Sequence, residues 1–249
     1  MEYKFIKTDI VDHVFYLILN RDEKRNAFTP TMINEIAHAL NLAEKNDQIK
    51  VFVLKAMGSV FCAGMDLKTF QDPSLDTLNP FIENKNISLG QVFDNFNKPS
   101  IALLEGNVIA GGFLLILGCT YVFGKEEVNF KLPEISFGLF PFQVMASLLK
   151  VMPEKKVLQL CLEPDFFGME KAIDLGIADG YYAENKFYNL LNSFSAYNPQ
   201  TLMAGIKALK SIRNMESEKQ YDFLLEILQS LKNDQSSLES QIEKQLKKD

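Results

Sequence analysis

The chain has 249 residues, of which 47% are hydrophobic and 23% charged, and a formal net charge of −6. That is enough apolar matter for one sizeable core. The acidic balance argues against a nucleic-acid surface, which needs clustered Lys and Arg.

The first third alternates strand and helix. Residues 14–19 form an apolar, β-branched and aromatic run and are expected to be a strand. Residues 20–26 are a polar loop. Thr29-Pro30 reads as an N-cap followed by proline at the first helical position. Ile33, Ile36, Ala37, Leu40 and Ala43 recur at helical spacing, which carries that helix to about Glu44. Residues 51–54 are a second buried strand. The stretch 71–86, with Pro73, Pro80 and many polar residues, reads as a surface loop. A helix over 87–96 and a strand over 101–104 follow. Ala110-Gly111-Gly112 opens an apolar helix to about Cys119, and 121–123 and 128–130 are short strands. Beyond residue 143 the pattern is mostly helical. Near the end, Leu224, Leu228 and Leu231 form one apolar stripe and Leu238, Ile242 and Leu246 another, separated by Asn233-Asp234-Gln235-Ser236. Stripes of this kind pack a core or a subunit interface. The Lys-rich stretch 244–248 reads as a solvated end.

Cys62, Cys119 and Cys161 sit among apolar neighbours without C-x-x-C spacing, and no signal peptide is recognised at the N-terminus. They are read as small buried hydrophobes in a reducing, cytoplasmic compartment. The longest apolar run, 108–119, contains glycines and is shorter than the ~20 residues of a membrane span, so no membrane association is expected. His13 and His38 have no metal-ligand spacing, which leaves a zinc site and a Ser-His-Asp triad unsupported. His38 is read as a solvated residue on a helix.

Three stretches carry chemistry. In Val60-Phe61-Cys62-Ala63-Gly64-Met65-Asp66-Leu67, a strand and tight turn would leave the Ala63 amide free to face a cleft. In Glu105-Gly106-Asn107-Val108-Ile109-Ala110-Gly111-Gly112, the Gly111 amide is an orphan donor at a helix N-terminus. Two amides converging on one oxygen make an oxyanion hole, in which each donor is worth ~3 kcal/mol. In Leu132-Pro133-Glu134-Ile135-Ser136, a carboxylate stands among apolar residues, which would raise its pKa and suit a general base.

In this order and spacing the three stretches resemble the crotonase family, the enoyl-CoA hydratase/isomerase superfamily. The resemblance also takes in Leu19-Asn20-Arg21, Asn26-Ala27-Phe28 and the Ala172-to-Asp179 turn, AIDLGIAD, and so covers residues 1–185. It implies an α/β fold, a crotonase-like spiral of ββα units, followed by a C-terminal helical region over 186–249 used for trimerisation. It implies a homotrimer or a dimer of trimers. Residue by residue, Ala63 and Gly111 match the two oxyanion-hole amides, and Glu134 matches the second of the two catalytic glutamates of hydratases. The stretch Gly64, Met65, Asp66 and Leu67, with Ala27, borders the acyl-thioester site. Lys24 and Arg25 match a loop approaching the CoA diphosphate, and Lys68 reaches toward the adenosine end. The carrier would be coenzyme A or an acyl carrier protein, with no metal, flavin or nicotinamide.

Two departures bear on the reaction. The family's first catalytic glutamate falls at position 114, where this chain has Leu114. Syn hydration holds its water between two carboxylates, whereas moving a double bond from C3–C4 to C2–C3 needs only one proton shuttle. The chain is thus similar to Δ3,Δ2-enoyl-CoA isomerases. After Glu134, bulky Phe140 and Phe142 replace the glycine-rich run common in hydratases and would shape the acyl pocket. That stretch is also similar to dehydratases of carrier-bound, branched 3-hydroxyacyl groups in polyketide pathways. Isomerase is therefore the first expectation, hydratase or dehydratase the second, and a non-catalytic acyl-CoA-binding subunit the third.

Overall fold

The structure is a computed structural model that describes residues 2–213 and 215–233. Leu238, Ile242, Leu246, the Lys-rich tail and most of the break at 233–236 lie outside the described residues. The chain divides into two compact units, Met1–Ser195 and Ala196–Asp249.

The first unit holds ten strands and eight α-helices among the described residues, in two sheets. The strands are β1 (Ile6–Val11), β2 (Val14–Leu19), β3 (Val51–Ala56), β4 (Val60–Cys62), β5 (Ser100–Leu104), β6 (Asn107–Ile109), β7 (Tyr121–Gly124), β8 (Asn129–Lys131), β9 (Phe167–Gly168) and β10 (Gly180–Tyr181). The helices are α1 (Pro30–Lys45), α2 (Leu67–Gln71), α3 (Leu89–Asn95), α4 (Phe113–Ile116), α5 (Phe142–Leu148), α6 (Glu154–Cys161), α7 (Met169–Asp174) and α8 (Glu184–Ser195). The larger sheet has the order β1-β2-β3-β5-β7-β10, and the smaller β4-β6-β8-β9. From β3 to β8, successive strands alternate between them. β3, β5 and β7 enter the large sheet as parallel neighbours, and β4, β6 and β8 enter the small one likewise. Each repeat therefore advances one strand in each sheet, which is the expected spiral of ββα units.

Burial explains the strands that the pattern discloses and the edge strand that it does not. β2, β3 and β5 read as continuous apolar runs because they are buried on both faces. β1, antiparallel to β2, is an edge strand in which only Ile6 is buried, so IKTDIV carries no periodic signal. The helix expected from Ala110 to Cys119 is shorter than its apolar run. A 3-10 turn covers Ala110–Gly112, α4 ends at Ile116, and the remaining residues turn into β7.

α1 organises the first half of the unit. Thr29 caps it, accepting from Met32 N at 3.2 Å, with proline in the first turn as expected. Met32, Ile36, Leu40 and Ala43 face the core. Polar Thr31, Asn34 and Glu35 are equally buried; the side chains of Asn34 and Glu35 hold backbone and a loop, whereas Thr31 is tied to the loop through its amide. Glu35 accepts from Lys4 N, Phe5 N and Asn79 Nδ2 at 2.7–2.9 Å. Asn34 exchanges two hydrogen bonds with the Lys85 backbone, and Thr31 N donates to Asp76 Oδ2. The 71–86 stretch is thus a surface loop strapped onto α1, with Asn79 and Ile82 buried. His38 is half-buried and bonded through Nδ1 to the Tyr3 hydroxyl at 2.8 Å, not a free solvated side chain.

The far end of α1 is closed by Lys98, which is 1% exposed and donates from Nζ to the carbonyls of Ala43, Asn46 and Ile49 at 2.6–2.8 Å. Ala43 O and Asn46 O also accept from Asn46 N and Ile49 N, so at this helix end and turn Lys98 adds a charged donor to carbonyls that are only partly satisfied. In the second unit, α9 (Pro199–Ile212), capped by Asn198, packs on α10 (Ser217–Asn233). Leu224 and Leu231 of the expected stripe are half-buried and Leu228 is exposed. No described helix is long and apolar enough to cross a membrane.

Replacing Lys98 with Met keeps the length of the side chain but strips three buried carbonyls of a charged donor. The expected loss is about 3 kcal/mol of unfolding free energy in urea melts; a loss below ~1 kcal/mol would mean that these carbonyls find other partners.

Candidate active site

The small sheet brings the three chemical stretches together. β4, β6 and β8 are adjacent and parallel, with Cys62 opposite Val108, and Val108 opposite Phe130. The segments leaving their C-terminal ends are Ala63-Gly64-Met65, Ala110-Gly111-Gly112 and, three residues past β8, Glu134. In parallel sheets this end of the strands is where ligands sit, since successive connections part there.

The first two turns touch. A Cβ placed on Gly64 would lie 2.8 Å from Ala110 Cβ and 2.9 Å from Gly111 N, and one placed on Gly111 would strike the Phe28 ring at 2.8 Å. Both glycines are required by close approach, and Gly64 also by its φ of +89°. Phe28 is fixed by a parallel bridge to Met65: Phe28 N donates to Gly64 O, and Asp66 N to Phe28 O.

This bridge corrects the choice of amide. Ala63 N donates to Arg25 O at 3.0 Å, so the Ala63 amide is not free. Left-handed Gly64 interrupts the strand alternation between Ala63 and Met65. Among the described residues neither Met65 N nor Gly111 N has a protein acceptor. The unpaired amides on the touching turns are those of Met65 and Gly111.

Beneath the turns lies a buried polar frame. Asn26, fully buried at φ +52°, accepts from Arg21 N and donates from Nδ2 to Met57 O and Val60 O. Arg21 donates to Ala27 O and pairs with Asp66 at 2.8 Å. Asp66 in turn caps α2 through Lys68 N and Thr69 N. Partial burial works to raise the Asp66 pKa, but the hydrogen bond and charge of Arg21 outweigh it and hold the carboxyl below its ordinary range. Asp66, expected to border the ligand, is therefore committed to the frame. Cys62 is buried as expected, but its thiol does more than fill space. Sγ donates to Asn26 O at 3.1 Å and accepts from Gly64 N at 3.4 Å. Burial pushes that thiol up to about 12, against the lowering effect of the Gly64 hydrogen bond.

Glu134 opens a 3-10 turn, Glu134–Phe137, closed by Gly138 at φ +71°. Its Oε2 is buried and, among the described residues, accepts no hydrogen bond. Burial raises its pKa, opposed by a backbone hydrogen bond. Burial first, and then the nearby charge of Glu134, push the Cys161 thiol up to about 11.

The remaining expected residues divide. Leu114 in α4 is 4% exposed and lies beneath Gly90 of α3. Phe140 packs on the core with its ring 5.9 Å from that of Phe142, while Phe142 is 73% exposed. α5, which Phe142 begins, contacts the Ala110–Gly112 turn. Ala27 is half-buried beside the frame, Met65 and Leu67 are exposed, and Lys24, Arg25 and Lys68 project into solvent from the adjoining segments. Among the described residues no cluster of His, Cys, Asp and Glu is arranged to hold a metal.

A two-sheet ββα spiral with unpaired amides and a half-buried carboxylate just past the ends of three parallel strands defines a class of enzyme. The enoyl-CoA hydratase/isomerase family matches residues 9–246, and the chain belongs to it. It is 28% identical to hydroxycinnamoyl-CoA hydratase-lyase of Pseudomonas fluorescens, over 89% of this chain and 84% of that protein. It is 27% identical to an enoyl-CoA hydratase of Mycobacterium tuberculosis, over 82% and 78% of the two chains. Its fold is similar to the crystal structure of an enoyl-CoA hydratase from Mycobacterium smegmatis, with a TM-score of 0.83 at 20% identity over 99% and 97% of the chains. Pseudomonas aeruginosa AtuE superposes with a TM-score of 0.81 at 22% identity over 91% of each.

The contact between the turns gives a graded expectation. Gly64→Ala combines a strained φ with a 2.9 Å clash against backbone, and is expected to cost about 2–3 kcal/mol of stability. Gly138→Ala has a similar φ but nothing within 4 Å of the new methyl, so about 1 kcal/mol is expected. Urea unfolding of both variants checks the order, and equal losses would show that Gly64 is not set by close approach.

Proposed function

We propose that this enzyme moves the double bond of a 3-enoyl-CoA into conjugation with the thioester. Glu134, ionised, removes a proton from C2. The electrons pass into the thioester to give a dienolate whose oxygen is held by the Met65 and Gly111 amides. The same proton returns at C4 as the double bond settles at C2–C3. The observation that carries this reading is the half-buried carboxylate of Glu134, its Oε2 enclosed and without a partner among the described residues, with apolar Leu114 where the family's hydratases place a second. A lone base with little access to water keeps its proton for the substrate. The steps transfer only protons, so no redox cofactor is needed. Exposed Lys24, Arg25 and Lys68 would meet the phosphates of coenzyme A or of a carrier-protein arm, and Phe140 and Phe142 the acyl chain. The C-terminal helices would serve a homotrimer.

A second reading is hydration or dehydration of an enoyl thioester. Its support is the hydratase-lyase relative that aligns over 89% of this chain. NMR of turnover in deuterated water separates the two. The conjugated product alone supports isomerisation, and a 3-hydroxyacyl product would replace that reading with hydration.

Glu134→Gln is expected to lower kcat by about 10³-fold; an unchanged rate would remove Glu134 as the base. The pH dependence has a definite sign. The base works ionised and burial raises its pKa, so kcat/KM should fall with acidification, with a midpoint above the ordinary glutamate value of 4.5. A rate flat down to pH 4.5 would contradict this.

A further inference from the structure

Ala110 stands immediately before Gly111 with φ +52°, a left-handed conformation that L side chains rarely adopt and that glycine enters freely. It is not glycine, and the reason lies across the cleft floor. Its methyl sits against Gly64, so close that a Cβ on Gly64 would fall 2.8 Å from it. Gly64 is the residue before Met65. The Ala110 methyl thus lies between the two turns that carry the unpaired Met65 and Gly111 amides. The backbone behind it is anchored on both sides. Gly112 is held against Cys62, where an added Cβ would meet the Cys62 carbonyl at 2.8 Å, and the Cys62 thiol bonds Asn26 O and Gly64 N.

We infer that Ala110 is a positioning residue: its strained backbone turns the Gly111 amide toward the cleft, and its methyl fixes that amide's distance from the Met65 turn. The inference rests on the proposed role of these amides as an oxyanion hole. Glycine at 110 would relax the strain and free the peptide between 110 and 111 to rock. A hole whose donors must be aimed before charge develops loses rate, not affinity, when an amide rocks.

The test is Ala110→Gly, with Ala110→Ser as the variant that keeps a Cβ in place. Relief of a left-handed alanine should leave the melting temperature unchanged or raise it by about 2 °C. kcat should fall by about tenfold with KM little changed, less than the ~10²–10³-fold loss of removing a donor outright. Ala110→Ser should stay within about twofold of wild type in kcat. The infrared carbonyl band of bound butyryl-CoA, labelled with 13C at C1, should be red-shifted in wild type and in Ala110→Ser, and less so in Ala110→Gly. Melting temperature and kcat falling together, or kcat and carbonyl shift both unchanged in Ala110→Gly, would overturn the inference while leaving the hole in place. A wild-type carbonyl without any red shift would remove the hole, and the inference with it.

Discussion

The hydrogen-bonded register of β4, β6 and β8 is the constraint from which the site follows. Three short parallel strands, locked side by side through Cys62–Val108 and Val108–Phe130, end at the same edge of one small sheet. Their exits are far apart in sequence, at residues 63, 110 and 132, yet the ladder holds them as neighbours. The strands supply only three residues each, so the register is held from both sides. The large sheet fixes the preceding strands, and the frame of Asn26, Arg21 and Asp66 fixes the Met65 turn. A catalytic geometry made this way belongs to the backbone, and side chains mostly support it.

The same logic runs through α1. An amphipathic helix normally turns polar residues to water, but Asn34 and Glu35 are buried and satisfy peptide groups of the 72–86 segment and the chain start, while buried Thr31 donates its own amide to Asp76. Segments without regular structure carry unpaired backbone donors that must find acceptors. Here a helix provides them, and the long stretch after α2 becomes an ordered strap. Lys98 does the converse for carbonyls at the other end of α1, so that one helix joins the edge strand, the strap and the approach to β5.

What was legible in the sequence follows from how each residue signals its task. Doubly buried strands show as apolar runs, and the cap of α1 as Thr-Pro, so both were visible. The Ala-Gly-Gly and Pro-Glu stretches stood out because their spacing resembles a family. Amide direction did not stand out. Ala63 and Met65 are two apart and look equivalent, and only the left-handed turn at Gly64 and the bridge to Phe28 distinguish the bonded amide from the unbonded one. The positive φ of Ala110 was hidden for the same reason, since alanine normally announces a helix. Asp66 and Cys62 each have a task that their sequence neighbourhood does not show. A charged residue near a glycine turn suggested ligand, and a cysteine among apolar residues suggested filler, but both bind the frame that sets the turn.

The chemistry proposed for Glu134 depends as much on what surrounds the carboxylate as on the carboxylate. A buried oxygen with no hydrogen-bond partner among the described residues is costly to keep charged, and its raised pKa expresses that cost. The same feature makes it a stronger base toward a carbon acid whose own acidity rises as two amides take up the developing charge. In the proposed reaction, base and substrate carbon would thus approach each other in proton affinity from opposite sides, so that a proton could leave C2 and return at C4 with neither partner holding it too tightly. A second carboxylate at position 114 would bring water and a competing acceptor into that balance. In the proposed reaction, leucine there would keep it between substrate and Glu134.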